Sequence, residues 1–217
     1  IDAVVKKAVS LGMPAIAMTD HGNMFGAIDF YLACKKNNIK GIIGTEAYIT
    51  PGSRFDKSGE QKSICHLTLL AKDNTGYAHL MKLVSSGYTE GFYYKPRIDK
   101  QILSQYAQGL IGTSGCLKGE VCGHLLRGNY EAAIKAADEY AQIFEAGHFY
   151  IEVMDHGLPE QKKVNEQLIK IAKELNLPVV ASNDVHYIEH NQHIAHETLL
   201  CIQTQTTLND AGRMKFN

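Results

Sequence analysis

The sequence predicts an α/β fold built on a buried, mainly parallel sheet, and three observations carry that prediction. Short apolar runs recur without polar alternation, as strands do when both faces of a sheet are covered. Each run is followed by a segment with apolar residues at helical spacing, the rhythm of strand–helix units. The glycine fingerprint of dinucleotide folds and the lysine motif of phosphate loops are both missing where a doubly wound sheet would carry them, which favours an α/β barrel over that alternative.

The elements follow in order. Val4, Val5, Ala8 and Leu11 stripe an opening helix, and Ala15 to Thr19 is the first apolar run. Met24, Ile28 and Leu32 mark the next helix. Ile42-Ile43 leads into the β-rich Gly44 to Ile49, which Pro51-Gly52 ends; a polar loop covers 52–63. His66 to Ala71 reads as a strand, and Tyr77, Leu80, Met81 and Val84 as a helix. Gly109 to Thr113 is a strand, and Tyr130, Ile134, Ala137, Ala141 and Phe144 make an amphipathic helix. Phe149 to Val153, the Val164–Leu168–Ile171–Leu175 stripe and Pro178 to Ser182 repeat the alternation, and a histidine-rich helix begins near Glu189.

Composition narrows the function classes. The 217 residues suit one large domain or two small ones, with 45% hydrophobic and 21% charged residues. A formal net charge of -1 provides no global field for nucleic acid or an anionic membrane. No apolar run is long enough to span a membrane, so no membrane partner is expected. Five cysteines without framework spacing fit free thiols and a cytoplasmic setting. The chain opens at Ile1 already inside a helical pattern and is read as a piece of a longer polypeptide.

Polar groups gather where the strands end. The first run closes on Asp20-His21, the second contains Glu46, the run at 109–113 leads to Ser114-Gly115-Cys116, Glu152 lies within 149–153, and the last run leads to Asp184 and His186. In parallel α/β folds sites collect at these carboxyl ends. Imidazole, carboxylate and thiolate suit zinc, and mixed imidazole and carboxylate also suits manganese or iron, the equipment of metal-dependent phosphoesterases. Each piece alone has a plainer reading: Asp20-His21 as a turn and helix cap, Cys116 as a small buried hydrophobe, and His186, His190, His193 and His196 as a solvated helix face. Gly112-Thr113-Ser114-Gly115-Cys116 has Cys116 where a nucleophile elbow needs glycine, which argues against serine hydrolysis. His79 and His148 are read as structural. His66 opens its run, which places it at the wrong rim of a strictly parallel barrel; either that strand is reversed or His66 is no ligand.

The stretches "GMPAIAMTDHGNMFGAIDFY", "GIIGTEAY", "HLTLLAKDNTGYAHLMKLVSSGYTEGFYYKPRID", "GLIGTSGCLKGEV" and "LPVVASNDVHYIEHNQHIAHETLLCIQT" closely resemble, in order and over essentially the whole chain, the PHP domain at the N-terminus of the bacterial DNA polymerase III alpha subunit. The resemblance implies a distorted (β/α)7 barrel with a trinuclear zinc or manganese site. It implies His21, Glu46, His66, Cys116, Asp184 and His186 as metal ligands, with Asp184, His186 and Arg97 as catalytic residues. Arg97 would pair bidentately with phosphate.

The family's first motif, a His-x-His on the first strand, is not in this sequence, so part of the ligand set and one barrel strand are expected to be missing. Two neighbouring strands would then be left unpaired, a hazard for self-association. The resemblance further implies a PHP domain over 1–205 and the start of a connection to the polymerase core over 206–217. The implied partners are that core, DNA through the parent DNA-directed DNA polymerase, and a proofreading exonuclease subunit. Two functions follow: a phosphoester hydrolase (3′–5′ exonuclease or pyrophosphatase) in the intact parent, or a non-catalytic domain that steadies the polymerase or docks a separate exonuclease. A free-standing PHP phosphoesterase is disfavoured, because "GYTEGFYYKPRID" and "HETLLCIQT" look like the polymerase.

Overall fold

The apolar runs become strands and the stripes become helices. The structure, a computed structural model, describes residues 1–58 and 64–213. The positions of the predicted polar loop at 59–63, and 214–217 of the predicted connecting segment, lie outside the described residues. Helix α1 (Asp2–Ser10) buries Val5 and Ala8 beside β1 (Ala15–Met18) and α2 (Ala27–Lys36), whose Phe30, Ala33 and Cys34 complete a small apolar cluster with Ile39. The main core lies on the other side of β2 (Lys40–Ile49) and β3 (Cys65–Ala71), where Ala47, Ile49, Leu67 and Leu69 meet Leu80 and Leu83 of α3 (Asn74–Thr89). A hairpin of β4 (Phe92–Tyr93) and β5 (Lys95–Ile98) turns at Tyr94 and runs through Asp99, the cap of α4 (Lys100–Gln105).

The second half holds β6 (Leu110–Thr113), α5 (Glu120–Leu126), α6 (Tyr130–Ile143), β7 (Phe149–Val153), α7 (Pro159–Glu174), β8 (Val179–Ala181), a 3-10 turn (His190–Gln192) and α8 (His193–Thr204). Among the described residues no helix is long and apolar enough to cross a membrane.

The strands form one curled, open half-barrel in the order β4-β5-β2-β3-β6-β7-β8, with β1 on β2 as well. β1 and β5 share one edge of the long β2: β1 pairs with 40–43 and β5 with 48–49, both parallel. β6–β7 and β7–β8 are parallel too. The mainly parallel expectation fails at β3, which runs antiparallel to both of its neighbours, and at the β4–β5 hairpin. The reason lies in the connection. A parallel return needs a crossover of a dozen or more residues, usually a helix, and the polar stretch after Ile49 has no apolar stripe to pack as one. The chain therefore comes straight back along β2.

Candidate metal centre

The site grows from the period-2 alternation of β2. Ala47 and Ile49 enter the core, so Glu46 and Tyr48 share the opposite face. The β1–β2 pairing register (Ala15 with Lys40, Met18 with Ile43) continues beyond the end of β1 to a parallel bridge between His21 and Glu46. Gly22, at φ +64°, turns the chain there; a Cβ on it would meet the Tyr48 ring at 2.9 Å and Pro96 at 2.8 Å. On the other side Tyr48 faces His66 across the antiparallel β2–β3 ladder. Reversal of β3 thus brings the residue that opens it to the rim where β1 ends, and the rim conflict seen in the sequence disappears.

Glu46 is the hub. Its Oε2 accepts from His21 Nδ1 at 2.5 Å and its Oε1 from His66 Nδ1 at 2.9 Å. Cys116 Sγ lies 3.6 Å from both Glu46 Oε1 and His66 Nδ1. Ligand atoms of His21, Glu46 and His66 all fall within 4.8 Å of one another. The His186 ring is 6.1 Å from that of His21, and its Nδ1 donates to the Asp184 carbonyl at 2.8 Å. Because a carbonyl only accepts, the lone pair of neutral His186 sits on Nε2. Asp184 has φ +44°, a left-handed conformation that Asp tolerates better than most residues and that recurs at functional sites. Tyr48 walls the site, 6.0 Å from the His21 ring and 5.3 Å from that of His66.

Charge in the cluster is organised by burial. Desolvation pushes the Glu46 carboxyl up, but the hydrogen bonds from His21 and His66 outweigh it and hold the group far below the usual carboxylate range. The bond to Glu46 raises His21, against its burial, and the Asp184 carboxylate adds to the rise. Burial, with Glu46 nearby, pushes the Cys116 thiol well up, so a cation is needed to draw off its proton. Two imidazoles, carboxylates and a thiol converging on one spot fit zinc or a neighbouring transition metal. His21, Glu46 and His66 are placed so that they could hold a metal ion together, and the Nδ1 contacts also let Glu46 orient both rings. Each Glu46 oxygen keeps a second lone pair beyond the one that accepts from an imidazole.

Of the six expected ligands, His21, Glu46, His66 and Cys116 meet directly, and His186 lies beside them with Asp184 two residues before it. Arg97 departs from expectation. It is 3% exposed, and its guanidinium donates to the carbonyls of Gly91 (3.0 Å), Arg54 (3.2 Å) and Asp56 (2.7 Å). It is no open fork for phosphate; it fastens the segment that follows β2. The solvated-face reading also fails at His186, which precedes the helix and lies beside the cluster, and at His196, which is half-buried 5.1 Å from the His186 ring. His79 is structural as expected, bonded to the Gln108 carbonyl at 2.8 Å. Sequence reasoning passed over Tyr48, although the alternation that places Glu46 also places it two residues on.

Residues 1–156 match the model of the PHP domain family. The chain is 45% identical over its whole length to the DNA polymerase III subunit alpha of Saccharopolyspora erythraea, covering 20% of that protein. Over 94% of its length it is 50% identical to the DNA polymerase III subunit alpha of Thermus aquaticus, covering 17% of it. The chain thus spans about a fifth of the length of these curated relatives. Among solved structures, a candidate metal-dependent phosphoesterase from Bifidobacterium adolescentis aligns with a TM-score of 0.51 at 14% identity, over 86% of this chain and 82% of that one, a likeness of fold.

Proposed function

The chain belongs to the PHP domain family, and from that premise we propose that it is the metal-dependent phosphoester-hydrolysing module of a bacterial replicative DNA polymerase alpha subunit, removing nucleotides from a 3′ end or cleaving pyrophosphate. The observation that carries this reading is the gathering of His21, Glu46 and His66 within 4.8 Å of one another, with Cys116 against them. His21, His66, Cys116, Asp184 and His186 would hold the metal, zinc or manganese, with Glu46 joining them or gripping two of them from behind. Such an ion supplies Lewis acidity toward a phosphoryl oxygen and makes water a nucleophile near neutral pH.

The chain's own part is to hold and orient. Glu46 aims two imidazoles through Nδ1, the Asp184 carbonyl aims His186 in the same way, and the Tyr48 ring keeps water from one wall. The rest of the alpha subunit and DNA are the proposed partners, and the cytoplasm the proposed location.

A second reading, a non-catalytic domain that docks a separate proofreading exonuclease, is favoured by exposed apolar residues on α8: Ile194, Leu199 and Ile202. One experiment separates the two. The intact polypeptide is desalted and its metal content measured, and release of nucleotide from a 3′-ended single strand is followed with added zinc or manganese. The hydrolase reading expects bound metal and turnover that His66→Ala lowers at least about 10- to 100-fold, as disturbance of a metal site's supporting groups does. Equal turnover in wild type and His66→Ala would leave the docking reading.

A further inference from the structure

We propose that Glu152 is the positioning residue that holds Cys116 and the Asp184–His186 pair in register around the metal centre. The proposal rests on the metal-site reading above and assigns a task to a carboxylate that takes no part in the cluster itself.

Glu152 lies in the middle of the three strands whose ends carry those residues. It sits on β7, between β6, which leads to Cys116, and β8, which leads to Asp184. It is 5% exposed, and both carboxylate oxygens are engaged. Oε2 accepts from Thr113 Oγ1 at 2.5 Å, on the β6 side, and from the Gly115 backbone N–H at 3.1 Å. Oε1 accepts from the Ser182 hydroxyl, on the β8 side. The Glu152 backbone N–H donates to Ser114 Oγ at 2.9 Å.

One side chain thus bridges the residue directly before Cys116 and the residue two before Asp184. Ser182 is also tied by its backbone N–H to the Val153 carbonyl at 3.1 Å, and the Asn183 carbonyl accepts from His156 Nε2 at 2.6 Å, but Glu152 is the side chain that links the two strand ends to each other. Gly115 adopts φ +79° in a turn that a Cβ would press against the His66 carbonyl at 2.9 Å, and the chain beyond Ser182 is irregular until the 3-10 turn at His190. A carboxylate suits the post because it accepts only, and all three partners are donors. Methionine keeps the length but gives up both oxygens, so it releases both strand ends; glutamine would not, since its amide can donate to the Ser182 hydroxyl oxygen while its own oxygen still accepts on the β6 side.

The test uses the intact polypeptide loaded with cobalt(II), because a thiolate ligand gives cobalt a charge-transfer band that a merely folded protein lacks. The part of the band lost in Cys116→Ser is assigned to Cys116. With Glu152→Met the expected result is a native circular-dichroism spectrum, a weakened Cys116 band and cobalt affinity lower by about 10- to 100-fold, the usual effect of removing a group that orients ligands. Ser182→Ala, which frees only the β8 side, is expected to lower affinity and leave the Cys116 band in place. A folded Glu152→Met protein with wild-type band and affinity overturns the proposal and leaves the metal site standing. Absence of any Cys116-dependent band in the wild type overturns both. If Glu152→Met does not fold, Ser182→Ala decides: affinity unchanged from wild type overturns the proposal, and reduced affinity with the band retained supports it.

Discussion

At the scale of single residues, the pairing of Glu46 with two imidazoles sets opposite pH responses for the protein without and with metal. The folded His21 holds its proton more tightly than its ordinary value of 6.5 implies. Its contribution to stability is therefore complete below about 6.5 and lost as pH rises through the raised value. Glu46 titrates far below its ordinary 4.5, so its contribution is complete above about 4.5 and lost on acidification. The metal-free pair stabilises most between those limits. Metal reverses the alkaline side, because ligands must shed protons to bind and stabilisation by a bound ion grows with its affinity. Thermal midpoints taken from pH 6.5 to 8 should fall in chelator relative to a Glu46→Gln control, and the increment that zinc adds should rise. If the zinc increment shrank with pH, this account of the cluster would be wrong. Arg97 teaches the opposite lesson about residue type: a guanidinium suited to phosphate is equally suited to three carbonyls. Only the folded positions of Gly91, Arg54 and Asp56 decide between them.

Among the elements, apolar periodicity made most of the strands and long helices legible, since it reports which residues are buried. It does not report direction. The reversal of β3 was half-written in the sequence, in a polar connection with no helical stripe and in a histidine at the wrong end of its strand. The short α4 and α5 had too few turns to show a stripe, and tertiary contacts hold them. Lys100 at the start of α4 reaches Glu120 of α5 (2.9 Å) and Glu139 of α6 (2.8 Å), and its ammonium lies 4.5 Å from the Tyr140 ring centroid. The Tyr140 hydroxyl donates to Glu120 at 2.7 Å. Burial alone would lower the Lys100 pKa; the two carboxylates override it and raise it. Lys100→Met should cost about 1–3 kcal/mol, the penalty for leaving a half-buried acceptor without its charged donor. Chemical denaturation provides the check, and a variant as stable as wild type would show that the three helices hold together without the lysine.

For the molecule as a whole, the sheet is the governing fact. Among the described residues β1 and β8 each have one strand neighbour, and Val179 on β8 is 46% exposed. Unpaired strand edges with exposed apolar side chains invite pairing with a second copy. The chain studied alone should associate as its concentration rises, and Val179→Lys should reduce that association without altering the fold. Sedimentation at several concentrations would measure it, and a strictly monomeric wild type would refute it. Of the candidate site, the strand-end residues were visible one at a time in the sequence. Their convergence was not, because it depends on sheet order and on the buried bonds of Glu152, which no spacing encodes.

The reversed β3 also decides where the domain can diversify. The connection that leaves β2 at Thr50 and rejoins β3 at Cys65 starts and finishes beside the rim that carries His21, Glu46 and His66. At its near end Arg54 is moored to Asp99 and Glu90, and Arg97 grips its backbone. Extra residues in a surface connection of this kind would leave the paired strands on either side in register. The fold therefore separates the strands whose register holds the cluster from a connection whose length that register does not fix.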